Sequence, residues 1–226
     1  MNKKRVQKIL EQNKENWQIV AETFSKTRKE SWNKSRIPLE YIKDGQKILD
    51  LGCGNGRLYQ LFKDKKVEYI GIDNSEGLIK IAREQFNKPK FIVADALDLE
   101  AQLPKNEFDL IISVAFLHHI PSKKLRLKIL KNCFSLLKPN GFLIFTVWNL
   151  RQWKLILRYH LYSLFWGQRD VFVPWKAGPE KIERYHHVFT LGEIRRLTKQ
   201  AGFKIIRNQK DSRKGFNLIT IAQKVC

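Results

Sequence analysis

The residues with the clearest capacity for chemistry lie in the stretch DLGCGNGR at positions 50–57. Asp50 ends an apolar run, and glycines follow at alternate positions, at Gly52, Gly54 and Gly56. Such glycines permit a tight turn and let a ligand approach the backbone. The dinucleotide fingerprint G-x-G-x-x-G is not matched, because the third glycine comes one residue early. An acid just before the loop favours a ligand with a cationic amino-acid tail over a pyrophosphate.

Two further acids end later apolar runs. Asp73 closes VEYIGID, 23 residues after Asp50, where a carboxylate can accept hydrogen bonds from both hydroxyls of a ribose. Asp95 closes FIVAD, where it can accept a bond from an adenine amino group. Carboxylates at the carboxyl edge of adjacent parallel strands face the crevice where such sheets bind ligands. The alternative is a set of turn glycines and helix-capping acids. The pattern as a whole predicts a site for S-adenosylmethionine, formed by Asp50, Gly52, Cys53, Gly54, Asn55, Gly56, Asp73, Asn74, Asp95 and Ala96.

A second candidate for chemistry is the tandem histidine pair in SVAFLHHIPS, residues 113–122. His118 and His119 have four possible roles: metal ligands, a catalytic base, the wall of a pocket, or ordinary packing. No cysteine or histidine spacing typical of a metal site accompanies them, so we expect no metal. Successive side chains of an extended segment point to opposite sides. We therefore expect one histidine to face a pocket and the other to pack behind it, and the spacing alone does not say which.

The segments that must position these residues alternate between apolar runs and amphipathic helices. Apolar runs too continuous to alternate are typical of parallel strands that are buried on both faces. The alternation predicts a Rossmann-like, doubly wound α/β sheet, and two final strands paired antiparallel bring the total to seven. The predicted strands are 47–51, 67–73, 90–95, 108–116, 141–148, 203–209 and 216–225, and the predicted helices are 3–30, 55–64, 76–87, 123–137 and 190–202.

Two parts of the chain fall outside this alternation. Residues 1–44 are predicted to form a helical segment that contributes to the active site, ahead of a domain over residues 45–226. Within that domain, residues 149–186 are rich in Trp, Pro and Arg, and we interpret them as an insertion with some helix. The regular pattern returns at Thr190, a residue type that caps helix N-termini.

The charge of the chain points to a polyanionic partner. The 226 residues include 43 Lys and Arg against 22 Asp and Glu, a net charge of +21. Residues 150–226 hold 16 basic and 5 acidic residues, which is +11 of that excess. A basic surface attracts nucleic acid or, less specifically, an anionic membrane, and the alternative is general solubility.

The remaining composition excludes several classes of protein. No apolar run approaches the roughly 18 residues that span a membrane, and the basic N-terminus lacks the apolar core of a secretory signal. The three cysteines, Cys53, Cys133 and Cys226, are far apart and odd in number. They indicate neither a disulfide framework nor a metal knuckle, so we expect a cytoplasmic protein.

Over residues 45–148 and the two C-terminal strands, the chain resembles the class I S-adenosylmethionine-dependent methyltransferases. That resemblance implies a seven-stranded sheet with its last strand antiparallel. Four further segments resemble, more narrowly, the Trm9 and AlkB homolog 8-type tRNA wobble-uridine methyltransferases. This narrower resemblance implies methylation of the carboxylate of 5-carboxymethyluridine in tRNA. The segments are FSKTRKESW 24–32, SVAFLHH 113–119, DVFVPWK 170–176 and RYHHVF 184–189.

Some of these segments depart from the family pattern. Thr27 and Arg28 match the T-R pair of the family, but Ser31 stands where the family has Pro before Trp. The family's R-Y-Y-H-V-F becomes RYHHVF, so one Tyr is replaced by His. The histidine pair and Trp148, at the end of the fifth predicted strand, agree with the family.

The implied acceptor decides which residue types the chemistry needs. A carboxylate is ionised at neutral pH and needs no general base, but it needs a guanidinium to hold it. Arg28 is the first candidate and Arg184 the second. A flipped base needs aromatic platforms, for which Trp148 and Tyr185 are candidates. The candidate catalytic residues are therefore Arg28, His118, His119, Trp148, Arg184 and Tyr185.

The resemblance also implies partners. We expect the anticodon stem-loop of a tRNA to follow the basic C-terminal region, including Arg151, Arg158, Lys181 and Arg195. Relatives in eukaryotes use a small zinc-binding activator protein, and without one we expect a monomer.

Two other hypotheses remain open. One is a small-molecule methyltransferase acting on a lipid-quinone or secondary-metabolite precursor, with residues 153–166 as a membrane-facing lid. The other is a non-catalytic RNA-binding module with a methyltransferase fold.

Overall fold

The computed structural model describes residues 1–27, 37–159, 162, 167–177, 180–211 and 215–225. Its strands are β1 (Lys47–Leu51), β2 (Glu68–Asp73), β3 (Lys90–Val93), β4 (Phe108–Val114), β5 (Leu137–Trp148), β6 (Asp170–Ala177), β7 (Glu180–His187), β8 (Lys204–Lys210) and β9 (Asn217–Gln223). Seven of them form one sheet in the order β3-β2-β1-β4-β5-β9-β8, and β6 and β7 form a separate hairpin.

The sheet confirms the predicted fold class. Strands β1 to β5 pair in parallel, and β9 runs antiparallel to both β5 and β8. The predicted boundaries differ slightly, since β3 ends at Val93 and β4 at Val114, whereas β5 begins already at Leu137. Two residues of β1 show why its apolar run is continuous. Ile48 packs into the apolar cluster on one face of the sheet and Leu49 into the cluster on the other.

The helices are α1 (Lys3–Ile19), α2 (Ala21–Lys26), α3 (Glu76–Gln85), α4 (Lys123–Leu136), α5 (Trp153–Arg158) and α6 (Leu191–Gln200). Side-chain oxygens of Ser75, Ser122 and Thr190 cap α3, α4 and α6, which confirms the predicted start of α6. Among the described residues, no helix is both long and apolar enough to cross a membrane.

Three local predictions were wrong. The helix expected over 3–30 is interrupted at Val20, where φ is −93° and ψ 0°, and this residue separates α1 from α2. The helix expected over 55–64 is a 3-10 helix, Arg57–Leu61. The insertion contains, besides α5, the β6–β7 hairpin. Its strands were missed because Pro174 and the charged residues of KIERYHH hide the pattern of a strand.

Helix α1 lies across the carboxyl ends of the strands and is tied to three other elements. Asn13 donates its side-chain amide to the carbonyl of His119, and Asn16 donates to the carbonyl of Glu183 in β7, both at 2.8 Å. The side-chain oxygen of Gln18 accepts from the backbone of Gly77 in α3 at 2.9 Å. The N-terminal segment therefore covers the carboxyl edge of the sheet.

Candidate active site

A crevice opens under α1 where the carboxyl ends of β1, β2, β4 and β5 meet. Strand β1 lies between β2 and β4, so the chain order reverses here, and doubly wound sheets bind ligands at such a point. The crevice consists of two adjoining hollows that share Gly52, Asp73 and Phe116. We call one the aromatic hollow, because Trp17, Phe24 and Trp148 line it. The other is the acidic hollow, lined also by Glu11, Asp95 and Asp98.

The glycine loop forms the floor of the crevice with a left-handed backbone. Gly52 has a φ of +75° and Gly54 a φ of +57°, which L side chains rarely adopt. A Cβ on Gly52 would lie 2.6 Å from the ring of Phe116, so this glycine is needed for packing. A Cβ on Gly54 would meet only the ring of Phe24, at 3.7 Å. The backbone at Gly54 is therefore open to a ligand, whereas Asn55 and Gly56 lie below the lining of the crevice.

Asp73 holds this loop in place at the end of β2. One oxygen of its carboxylate accepts from the backbone N–H of Gly54 at 2.9 Å, and the other accepts from that of Ser75 at 3.0 Å. Burial raises the pKa of Asp73, and these backbone donors oppose the rise. The carboxylate lines both hollows, as does Asn74 beside it.

Asp50 is a buried carboxylate at the end of β1 and lines the aromatic hollow. Its Oδ2 accepts a hydrogen bond of 2.5 Å from the hydroxyl of Tyr69. Burial raises the pKa of Asp50 to about 7, and Tyr69 opposes the rise while the nearby Asp73 adds to it. A cationic group bound in the aromatic hollow would favour the charged form of Asp50.

The acidic hollow contains the two remaining residues of the predicted donor site. Asp95 lies two residues beyond the end of β3, is exposed, and accepts from the backbone N–H of Leu97 at 2.8 Å. Ala96 is buried beside it. Gln7, Glu11 and Lys14 of α1 also line this hollow, and the sequence pattern had not assigned them to it.

The structure separates the two histidines, which share the 3-10 turn Leu117–His119. His119 lines the aromatic hollow, and its Nδ1 lies 3.0 Å from the carbonyl of Tyr185, which makes Nδ1 the protonated nitrogen. His118 is behind it, and its Nδ1 accepts from the backbone N–H of Trp148 at 3.3 Å. Burial lowers the pKa of His119 to about 3, and the pKa of His118 is lowered as well, so both rings are neutral at physiological pH.

Arg184 brings a buried guanidinium to the aromatic hollow from β7. Only 5% of its surface is exposed. Its guanidinium carbon lies 4.8 Å from the ring centroid of Trp175 and 5.2 Å from that of Trp148, so two indoles hold the cation. This arrangement keeps a planar donor fork in the lining of the aromatic hollow and out of the acidic hollow.

His186 completes a cluster that the sequence did not reveal. It stacks on Trp148 at 5.0 Å and on His118 at 4.9 Å, and the potential metal-ligand atoms of His118, His119 and His186 lie within 4.8 Å of one another. Burial lowers the pKa of His186, and the positive charge of Arg184 lowers it further. Because the same charge repels a metal cation, we retain the expectation that the cluster holds no metal.

One predicted base platform, Tyr185, does not line the crevice. Tyr185 is fully buried, and its hydroxyl donates to Asp170 at 2.5 Å. A ring with no exposed face cannot stack on a base, so the expectation of a platform at Tyr185 was wrong. Arg28 lies outside the described residues.

Other residues of the aromatic hollow were missed. Trp17 of α1 packs edge-on against His119 at 5.4 Å and against Phe24 at 5.3 Å. Trp175 of β6, which does not itself line the hollow, packs against Phe24 at 6.1 Å. The sequence shows that these positions are aromatic, but only the crossing of α1 over the hairpin brings them together.

Comparison with known proteins agrees with this geometry. The model of a family described as "Methyltransferase domain" matches residues 24–208. The chain belongs to this methyltransferase family.

Several curated relatives of this methyltransferase carry the name "tRNA (carboxymethyluridine(34)-5-O)-methyltransferase". The Schizosaccharomyces pombe protein is 30% identical over 212 residues, which cover 85% of this chain and 88% of that protein. The Saccharomyces cerevisiae protein is 34% identical over 160 residues, covering 69% of this chain and 53% of that one. The Arabidopsis thaliana protein is 37% identical over 137 residues, which cover 60% of this chain and 32% of that protein. Two of these relatives are thus considerably longer than the part matched here.

Solved structures agree with the fold. An S-adenosylmethionine-dependent methyltransferase from Methanosarcina mazei has a TM-score of 0.69 and 26% identity, covering 82% of this chain and 95% of that one. A Haloferax volcanii putative methyltransferase, solved as a complex with the activator Trm112, has a TM-score of 0.70 at 17% identity, covering 95% of this chain and 98% of the matched one.

The methyltransferase uses S-adenosylmethionine, which supplies an activated methyl group on a sulfonium. The crevice fits this donor in three respects. The backbone at Gly54 is open, the buried carboxylate of Asp50 faces the aromatic hollow, and Asp73 and Asp95 offer carboxylate oxygens along the acidic hollow.

Proposed function

We propose that this methyltransferase esterifies the carboxylate of 5-carboxymethyluridine at the wobble position of a tRNA. In this reaction a carboxylate oxygen forms a bond to the methyl carbon while the bond from that carbon to sulfur breaks. The products are the methyl ester and S-adenosylhomocysteine. The names of the relatives support the substrate, and the observation that carries the proposal is Arg184 in the aromatic hollow.

In this proposal the donor occupies the acidic hollow and the neighbouring part of the aromatic hollow. Asp73 accepts from the ribose hydroxyls, Asp95 and the backbone near Ala96 receive the adenine, and Asp50 binds the ammonium of the amino-acid tail. Gly52, Cys53 and Gly54 leave the tail room to lie on the loop. Asn55 and Gly56 support the loop from below, and Asn74 lies beside the ribose.

Arg184 is proposed to hold the acceptor carboxylate. A guanidinium binds a carboxylate through two parallel hydrogen bonds, and burial between two indoles strengthens that interaction. The fixed fork aligns one carboxylate oxygen with the methyl group, and alignment is the main requirement of a displacement on an activated donor. Arg28, outside the described residues, remains proposed as a second guanidinium.

The histidines are proposed to shape the acceptor side without exchanging protons. A carboxylate nucleophile has no proton to lose, and the depressed pKa of His119, about 3, leaves the ring neutral. A neutral ring does not compete with Arg184 for the negative charge. His119 forms the wall against the base, His118 supports Trp148 from behind, and Trp148 offers an indole face for stacking.

The proposed RNA partner agrees with the charge of the surface. The four basic residues of the C-terminal part that were expected to follow the RNA, Arg151, Arg158, Lys181 and Arg195, are all exposed. We propose that they and their neighbours meet phosphates of the anticodon stem-loop, and that the enzyme works in the cytoplasm. A requirement for an activator, like the one in the Haloferax complex, is tested by comparing the activity of the purified chain alone with its activity in the presence of such a protein. Neither alternative function has a specific observation in its favour.

Transfer of labelled methyl groups to defined tRNAs tests the function. We expect label in tRNA that carries carboxymethyluridine at the wobble position, none in the same tRNA with unmodified uridine, and release of the label by mild base, because esters hydrolyse there. Equal labelling of both tRNAs, or label that resists base, would contradict the proposal.

A further inference from the structure

Tyr69 and Asp50 form a buried pair on neighbouring strands, below the aromatic hollow. Tyr69 is 3% exposed and Asp50 is 1% exposed, and the phenol hydroxyl donates to Asp50 Oδ2 at 2.5 Å. Asp50 lines the hollow, whereas Tyr69 does not. The phenol therefore reaches the crevice only through the carboxylate that it contacts.

The ring of Tyr69 is fixed by an aromatic cluster. Its centroid lies 5.2 Å from that of Tyr59, 5.5 Å from that of Phe62 and 6.2 Å from that of Phe91. A ring packed in this way has one accessible direction for its hydroxyl, so the hydroxyl acts as a fixed donor. A fixed donor both orients a carboxylate and stabilises its charged form.

The groups around Asp50 make its charge sensitive to this bond. Asp73, at the end of β2, and burial favour the protonated form, whereas Tyr69 and the guanidinium of Arg57 favour the charged form. Cys53 is also close, and its pKa is raised well above the usual value, mainly by burial, so it is a neutral thiol. With a pKa of about 7, the carboxylate is balanced between its two forms near physiological pH.

We propose that Tyr69 is a positioning residue for donor binding, whose hydroxyl keeps the Asp50 carboxylate ionised and directed at the ammonium of the amino-acid tail. This inference rests on the proposed role of Asp50 in the donor site. It does not depend on the identity of the acceptor. It assigns a function to a tyrosine that touches neither donor nor acceptor.

The proposal predicts a pH dependence of donor binding with a definite sign. The ionised fraction of Asp50 falls as the pH falls through its pKa of about 7, and affinity for a ligand with an ammonium falls with it. Tyr69→Phe removes the donor and raises that pKa further. We expect the midpoint of the pH profile to move up by about one unit, since a hydrogen bond to a charged group has an effect of this size. The affinity at neutral pH should then fall about fivefold, because the ionised fraction of Asp50 falls from about a half to about a tenth.

The experiment measures S-adenosylhomocysteine binding by calorimetry between about pH 6 and about pH 9, the range in which Asp50 titrates. Tyr59→Phe is the matched control, because this neighbouring phenol has no hydrogen bond to Asp50. Methylthioadenosine, which lacks the amino-acid tail, is the second probe. We expect Tyr69→Phe to leave its affinity and pH profile unchanged, which separates a lost charge from a damaged fold.

Three outcomes would overturn the inference. The first is a Tyr69→Phe profile that coincides with wild type, and the second is an equal shift in Tyr59→Phe. The third is an equal loss of affinity for methylthioadenosine. If Asp50→Asn instead leaves donor affinity unchanged, Asp50 does not bind the ammonium of the donor. The role proposed for Tyr69 would then be excluded as well. The transfer assay on tRNA tests the proposed function separately, since none of these binding measurements involves an acceptor.

Discussion

The two hollows of the crevice are built in different ways. Most of the acidic hollow comes from the ends of consecutive strands, with Asp73 as the last residue of β2 and Asp95 two residues beyond β3. The aromatic hollow is assembled from distant parts of the chain, with Trp17 on α1, His119 on a 3-10 turn, Trp148 at the end of β5 and Arg184 on the hairpin. Local elements thus make most of the proposed donor side, and tertiary contacts make the proposed acceptor side. Substitutions in the two hollows should therefore have different and separable effects.

The largest expected effect is the loss of donor binding in Asp73→Ala. This carboxylate holds the backbone of Gly54 and Ser75, so the loop and the ribose both lose their acceptor. We expect affinity for S-adenosylhomocysteine to fall about a hundredfold or more, measured by calorimetry. Asp98→Ala is the control, an exposed acid of the same hollow. If Asp73→Ala binds S-adenosylhomocysteine with wild-type affinity, the donor site does not lie at this edge of the sheet.

The next effect belongs to the acceptor side. Arg184→Lys keeps the charge but loses the planar fork and its stacking between Trp148 and Trp175. We expect kcat/KM on tRNA to fall about a hundredfold while donor affinity stays at the wild-type value. Arg169→Lys serves as a control, since Arg169 pairs with Glu193 and does not line either hollow. A loss of donor binding in Arg184→Lys would show that the two hollows are not separable.

A smaller effect distinguishes the two histidines. His119→Ala removes part of the wall of the aromatic hollow, and we expect kcat/KM on tRNA to fall about tenfold at unchanged donor affinity. His118→Ala removes a ring stacked on His186 and the acceptor for the backbone of Trp148, so its main effect should be a lower melting temperature. If His118→Ala lowers kcat/KM and His119→Ala mainly lowers the melting temperature, then His118 rather than His119 faces the substrate.

The smallest effect concerns the hairpin that carries Arg184. Burial alone would raise the pKa of Asp170, but hydrogen bonds from His187 and Tyr185 outweigh it and lower that pKa to about 2. This contribution to stability is present above the unfolded pKa of about 3.9 and is lost as the pH falls towards about 2. Because Asp170 is half-exposed, we expect Asp170→Asn to cost about 1 kcal/mol at neutral pH in chemical denaturation. An equal cost in acid and at neutral pH would contradict this reading.

The same contrast explains what could be predicted from the sequence. The sheet and the glycine loop follow from apolar runs and spacings within short windows, so Asp50, Asp73 and Gly54 could be located in advance. The roles of Trp17, Trp175 and His186 depend on how α1 and the hairpin fold back over the sheet, which no local pattern encodes. Tyr185 shows the converse, because its residue type fits a platform and its burial excludes one.

The most direct test of the proposed function is the nucleoside composition of the wobble position in cells. Mass spectrometry of tRNA digests would compare a strain that lacks the gene with one that carries it again on a plasmid, as the wild type or as Arg184→Lys. We predict that the deletion accumulates 5-carboxymethyluridine and loses its methyl ester, that the wild-type gene restores the ester, and that Arg184→Lys restores little of it. An unchanged level of the methyl ester in the deletion strain would contradict the proposed function.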